Sequence, residues 1–242
     1  MEHFLEVKKI NKSFGGLKVI IDLELYLDQG EILSIIGPNG SGKTTLFNLI
    51  TGFLKADAGE VKFMGIDITG EKPHKICHYG IARVFQLVQP FAKLTTLQNV
   101  MAGRICGGRS ARNIKEAARE AGEILDFVGL STRRNMVAEN LSLPDRKRLE
   151  VARALATRPK ILILDEIMAG LNPKETKDAM GLLNEIRNSG ITLMVVEHII
   201  KAVLGISDRL IVLNAGQKIA EGNPLEVIRN EQVIEAYLGK EV

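Results

Sequence analysis

One nine-residue run, Gly37-Pro38-Asn39-Gly40-Ser41-Gly42-Lys43-Thr44-Thr45, constrains this chain more than any other feature. It fits the phosphate-loop pattern G-x-x-x-x-G-K-S/T without a mismatch. The context fits as well: Glu31–Ile36 reads as a buried strand, and Leu46–Ile50 continues as a helix. Glycines let backbone N–H groups converge on phosphate oxygens, and the helix N-terminus adds partial positive charge. In that setting Lys43 is placed to reach the β- and γ-phosphates and the Thr44 hydroxyl to complete a Mg²⁺ shell. The alternative is a glycine-rich turn with a stray lysine, and the strand–loop–helix setting argues against it. The run implies a bound nucleotide.

The hydrophobic pattern says what kind of sheet carries the loop. From Val19 to Leu27 apolar side chains fall at every odd position, the period of a half-buried antiparallel strand. Val61-Lys62-Phe63-Met64 reads as its sheet-mate, ending at a turn near Gly65. Ile32–Ile36, Ile161–Leu164 and Thr192–Val196 are instead short and continuously apolar, as in parallel strands covered on both faces. Between them the sequence is helical. Ala111–Gly129 puts Ile114, Ala117, Ala118, Ala121, Ile124, Leu125 and Val128 on one stripe. Ser142–Thr157 predicts a second helix with a basic face of Arg146, Lys147, Arg148 and Arg153. With 242 residues the chain suits one domain with a subdomain. The expected division is an α/β core at about 1–89 and 156–242, interrupted by a helical subdomain at about 90–155.

Composition excludes more than it assigns. A net charge of +3 is too small to argue for nucleic acid. No apolar run approaches the roughly 18 residues of a membrane span. Met1–Glu6 lacks the basic-then-apolar layout of a signal peptide. Cys77 and Cys106 have neither metal nor redox spacing and read as reduced, structural thiols of a cytosolic protein. The expectation is a soluble chain able to dock on a membrane.

Several residues could serve the bound nucleotide. Ile161–Leu164 runs into Asp165-Glu166, so a rigid strand could hold Asp165 on Mg²⁺. Glu166 faces differently and could orient or deprotonate an attacking water. The plain alternative is that the acidic pair caps the next helix. His198 follows the strand Thr192–Glu197, where α/β proteins place ligand-contacting groups, and would sense a γ-phosphate. Gln86 follows the strand-like Ile81–Phe85 and could touch Mg²⁺ or the lytic water. Phe14, in Ser13-Phe14-Gly15-Gly16, could stack on adenine or simply pack in the core.

Taken together, these residues resemble the ATP-binding subunit of ABC transporters along nearly the full chain. Phe14 matches the adenine-stacking aromatic, Gly37–Thr45 the Walker A loop, and Gln86 the Q-loop glutamine. Asp165 and Glu166 match Walker B and the catalytic base, Ala169–Pro173 the D-loop, and His198 the switch histidine. The resemblance implies an α/β P-loop NTPase (RecA-like) core with an antiparallel β-subdomain and an inserted helical subdomain. It implies ATP and Mg²⁺ as ligands, and ATP hydrolysis coupled to transport.

One motif departs. The family's Leu-Ser-Gly-Gly-Gln signature stands here as Leu141-Ser142-Leu143-Pro144-Asp145, with only Ser142 left to face a partner's nucleotide. Leu143 adds a side chain, Pro144 removes an N–H donor and Asp145 adds negative charge, so that half of a shared site is expected to be weak. A paralogous second ATPase subunit is therefore favoured over a homodimer.

Within the family, Val196–His198, Gly205–Arg209, Glu221–Pro224 and Ala236–Gly239 are similar to subunits of branched-chain amino acid importers. That implies two permeases contacting the surface around Gln86–Met101, a solute-binding protein acting indirectly, and a peripheral place on the cytoplasmic face of the membrane. Three rival readings differ from this one. A soluble ABC-type ATPase acting on nucleic acid or ribosomes would rest on the basic face of Arg146–Arg153, and such faces are usually just solvated. A small-molecule kinase fits less well, because Asp165-Glu166 and His198 favour water activation. A low-turnover nucleotide-binding regulator would suit the altered signature, but Glu166 is retained.

Overall fold

A computed structural model describes residues 3–238 and builds the chain around two sheets. The first is antiparallel, in the order β2-β1-β4-β5: β1 (Leu5–Phe14), β2 (Leu17–Leu27), β4 (Ala58–Phe63) and β5 (Ile66–Asp67). The second, in the order β10-β9-β3-β8-β7-β6, holds β3 (Ile32–Ile36), β6 (Ile81–Val84), β7 (Ile161–Asp165), β8 (Thr192–Val196), β9 (Arg209–Asn214) and β10 (Gln217–Gly222). All its pairings are parallel except β9 with β10.

The continuously apolar runs are legible in this arrangement. Every residue of β3, β7 and β8 is buried. Alternate residues feed opposite cores: Leu33, Ile35, Ile163 and Met194 meet the antiparallel sheet and helix α1 (Lys43–Ile50). Leu162, Leu164, Leu193 and Val195 face the helices of the other side. A strand covered on both faces has no reason to alternate.

Strand β3 lies between β8 and β9, and β8 lies next to β7. The C-terminal ends of β3, β8 and β7 are therefore neighbours, with Ile35 and Asp165 both in register with Val196. Ligands of open α/β sheets bind at that edge. After α2 (Pro73–Tyr79) and β6, the chain makes α3 (Thr96–Cys106), α4 (Ile114–Phe127) and α5 (Leu143–Leu155) before returning as β7. Helices α6 (Pro173–Asn188), α7 (Ile200–Ile206), α8 (Pro224–Val227) and α9 (Glu231–Leu238) complete the described chain.

Several local expectations are corrected. The period-2 pattern of Val19–Leu27 breaks at Asp22, whose φ of +43° shifts the strand, so Ile20 rather than Ile21 is buried beside Leu23, Leu25 and Leu27. Val61–Phe63 belongs to the same sheet but pairs with β1, not with β2. Strand β1 itself is not anticipated: a shift around Lys9 (φ +46°) and several lysines hide its Leu5, Val7 and Ile10. Asn113 caps α4 with its side chain, so Ile114 starts the helix and stands 71% exposed, outside the expected stripe. The basic face of α5 is not a solvated face. Arg146 donates to the Leu141 and Glu139 carbonyls, Arg153 pairs with Glu150, and Lys147 is buried. Cys77 is half-buried and Cys106 exposed, so the second is no packing thiol. The expectations on Met1, Glu2 and Gly239 lie outside the described residues.

Candidate functional site

The phosphate loop joins the end of β3 to α1, which begins at Lys43 behind a left-handed Gly42 (φ +104°). Two of its glycines are forced by close approach. A Cβ on Gly37 would lie 2.1 Å from the Leu213 carbonyl oxygen, and one on Gly42 2.9 Å from that of Val19. Strands β9 and β2 therefore press the loop into shape. Pro38, Asn39 and Gly40 form its outer turn, Ser41 is buried, Thr44 exposed and Thr45 half-buried. Lys43 is buried, and its Nζ donates to the carbonyls of Gly37 (2.8 Å) and Pro38 (2.9 Å). Burial holds its pKa below the ordinary lysine value, opposed by the charges of Glu166 and Asp165. The ammonium and both carboxylates thus share one field.

Asp165 ends β7 and is buried. Its Oδ2 accepts from Arg83 Nη2 at 2.7 Å, while Arg83 Nη1 donates to Asn48 Oδ1 at 2.6 Å. The Arg83 guanidinium lies over the Phe85 ring, 4.7 Å from its centroid. Burial lowers the Arg83 pKa and Asp165 opposes that shift. Sequence reasoning missed Arg83. The one available signal was a lone charge inside the apolar run Ile81-Ala82-Arg83-Val84.

Glu166, one residue on, has a φ of +52°, and its N–H donates to the Val196 carbonyl at 2.9 Å. Its carboxylate is the meeting point of three segments. Gln86 Nε2 donates to Oε2 at 2.6 Å, and His198 Nε2 lies 2.7 Å from Oε1. Gln86, Glu166 and His198, predicted from separate motifs, therefore form one hydrogen-bonded cluster. Gln86, Thr44 and Asp165 also line a single groove of about 830 Å³, with Asn48 and Arg83. Among the described residues no group of three His, Cys, Asp or Glu could hold a metal. A hydroxyl, an amide oxygen and a carboxylate nevertheless form a hard donor set that fits Mg²⁺ once phosphate oxygens join it.

Two predicted contacts stand apart. Phe14 ends β1, half exposed, with Lys12 Nζ 5.6 Å from its ring centroid. Its hairpin continues into β2, whose Val19 abuts Gly42, so Phe14 is on the strand pair that borders the loop. Ser142 is outside the groove and caps α5, its Oγ accepting from the Asp145 N–H at 3.3 Å. The altered signature is thus a well-formed helix start: a serine cap, Pro144 in the first turn and Asp145 near the positive end. Leu143 is 47% exposed and reaches toward Gly170, whose Cβ would lie 3.5 Å from Leu143 Cδ2.

A phosphate loop on a central strand, with an acidic pair at the end of the next strand but one, defines a P-loop ATPase of the ATP-binding cassette type. Residues 20–169 match the family described as ABC transporter, and residues 217–242 match branched-chain amino acid ATP-binding cassette transporters. The high-affinity branched-chain amino acid transport ATP-binding protein BraF of Pseudomonas aeruginosa is 38% identical, with 98% of each chain covered. The corresponding LivG of Salmonella typhimurium is 40% identical with the same coverage. A crystal structure of a nucleotide-free cassette from an ABC transporter superposes with a TM-score of 0.91 at 38% identity, covering 99% of this chain and 100% of that one. A dimeric cassette in a post-hydrolysis state with ADP and phosphate gives 0.81 at 30% identity, over 91% of this chain and 98% of that one. The chain belongs to the ABC transporter family, among its branched-chain amino acid transport ATP-binding proteins. It is an ATP-binding and ATP-hydrolysing transporter subunit, and the nucleic-acid and regulator readings are not favoured.

Proposed function

We propose that this chain is one of two ATPase subunits powering an importer of branched-chain or related amino acids. In that reading it sits at the cytoplasmic face of the membrane, under two permeases served by a solute-binding protein. The observation that carries the reading is the Gln86–Glu166–His198 cluster beside the phosphate loop. Among the described residues no helix is long and apolar enough to cross a membrane, which suits a peripheral subunit.

Glu166 is the base, accepting the proton of the attacking water at the carboxylate that His198 and Gln86 orient. Lys43 neutralises the β- and γ-phosphates, and the loop N–H groups of Gly40 to Thr45 hold their oxygens. Thr44, Asp165 and Gln86 would hold Mg²⁺, which supplies charge neutralisation at the phosphates when bound. His198 senses the γ-phosphate, and Phe14 stacks on adenine. ATP would close two subunits because its γ-phosphate contacts both, giving the differential affinity that such a switch needs.

Glu166→Gln should lower kcat by about 100-fold or more and leave ATP binding within about twofold, measured by phosphate release and nucleotide fluorescence. A variant that still turns over at half the normal rate would remove Glu166 from this role.

The partner is a paralogue in this reading, because a homodimer would carry the altered signature at both sites. Ser142 is the one polar signature side chain retained for the partner's nucleotide. Blocking this chain's Glu166 should then cost more turnover than the equivalent change in the partner; equal losses would end the asymmetry.

A further inference from the structure

A non-glycine residue in the left-handed region persists only where its surroundings over-determine it. Glu166, at φ +52°, is such a residue, and the groups that hold it are not the ones that orient its carboxylate. Its own N–H is fixed by Val196. The peptide unit between Ile167 and Met168 is gripped from both ends. Lys147 Nζ donates to the Ile167 carbonyl at 2.8 Å and lies 3.4 Å from that of Glu166. On the other side the Met168 N–H donates to Glu197 Oε1 at 2.7 Å. The Ile167 carbonyl and the Met168 N–H belong to the same peptide, so a cation and a carboxylate hold one plane between them.

Both groups are buried, Lys147 at 9% and Glu197 at 1% exposure. Burial lowers the lysine pKa and raises that of the glutamate, and each charge opposes the shift of the other. Charges are rarely buried for packing alone, since apolar residues of similar volume serve a core at least as well. These two also come from different places. Glu197 directly follows β8, beside His198, whereas Lys147 lies on α5, five residues after the Ser142 cap.

We propose that Lys147 and Glu197 are positioning residues for hydrolysis: together they clamp the Ile167–Met168 peptide and so hold the Glu166 carboxylate between Gln86 and His198. Lys147 further makes the clamp depend on α5. A displacement of that helix pulls on the carbonyls next to the base, so the helix that carries the signature reports to this chain's own hydrolytic site. The inference rests on Glu166 being the base.

The test is steady-state ATPase and fluorescent-ATP binding on the full chain carrying Lys147→Met, Lys147→Arg, Glu197→Leu, which removes the acceptor of the Met168 N–H, and the Lys147→Met/Glu197→Leu pair. A misplaced catalytic group costs turnover rather than affinity, so Lys147→Met and Glu197→Leu should each lower kcat by about tenfold or more with KM and nucleotide affinity within about twofold. Lys147→Arg, which keeps the charge and donors, should stay within about threefold of the parent kcat. The pair should be no worse than its worse member, because both act on one peptide. Unchanged kcat in Lys147→Met, an arginine variant as defective as the methionine one, or losses that multiply in the pair would overturn the proposal. If Lys147→Met does not fold, Lys147→Arg and Glu197→Leu decide it alone, because unchanged kcat in Glu197→Leu also overturns it. Glu166→Gln run alongside separates the failures. Normal turnover there sinks the base assignment, whereas lost turnover there with a normal Lys147→Met sinks only the clamp.

Discussion

Asp165 is held by Arg83 in a pair whose side chains are each 4% exposed, and such a pair is costly to break and cheap to replace whole. Arg83→Met alone should destabilise the chain by about 3–5 kcal/mol, read as a lower urea midpoint, because it strands a buried carboxylate. Arg83→Met with Asp165→Asn should recover most of that loss; a double variant as unstable as the sum would show that the pair contributes through packing instead. Glu197 offers a prediction in pH. Burial holds its carboxyl above the ordinary 4.5, so between that value and the raised one the folded chain binds more protons than the unfolded chain. Its contribution to stability is therefore full below 4.5 and falls as pH rises through the window. Glutamine does not titrate, so the melting temperature of Glu197→Gln relative to the parent should climb as pH rises above 4.5. A flat difference would mean that Lys147 cancels the burial cost. Residues with a fixed motif spacing were legible in the sequence, namely Lys43, Asp165, Glu166, Gln86 and His198. Arg83, Lys147 and Glu197 were not, because their roles depend on partners brought together only by the sheet. Four basic residues on one helix look alike in sequence; only tertiary contact separates Lys147, which turns inward, from the rest.

At the scale of elements, the legible parts were those with a single burial environment. Strands β3, β7 and β8 are buried on both faces, and their unbroken apolar runs say so. Strands β1 and β2 carry left-handed residues at Lys9 and Asp22 that shift the period mid-strand, so pattern alone fails there. Strand β10 gives no sign of itself in the pattern, since it is mostly half-exposed and carries little apolar signal. Helix α5 shows how an element can keep its fold while losing its motif. Ser142, Pro144 and Asp145 start a helix as well as any sequence can, whereas the signature glycines would leave that turn loose. Ser142→Ala should cost about 1 kcal/mol through the lost cap, seen as a few degrees of melting temperature. No change in melting would mean that Pro144 and Asp145 suffice to start the helix.

For the molecule as a whole, the open question is where the transporter's membrane part attaches, and the exposed apolar side chains point to one place. Phe53, Phe85, Leu87 and Phe91 are all more than two-fifths exposed and line the same groove that reaches Thr44, Gln86 and Asp165. Phe53 and Phe85 meet edge to face with centroids 5.4 Å apart, and Arg153 lies over Phe91 at 4.7 Å, so the side chains of this wall pack on one another within the chain itself. Apolar side chains gathered around a groove mark an interaction surface, and the surface predicted from the sequence for permease contact begins at Gln86. On the proposed function, one wall of the groove would serve the nucleotide and the other the membrane subunit. Leu87, 72% exposed, makes the sharpest probe, because a charge there touches solvent in the free chain. Leu87→Asp should leave stability within about 0.5 kcal/mol and the ATPase rate of the isolated chain within about twofold. In the assembled transporter it should abolish stimulation of hydrolysis by the membrane subunits and lower their recovery with this chain, because docking would now bury an unpaired carboxylate. Full stimulation by the Leu87→Asp chain would place the docking surface elsewhere.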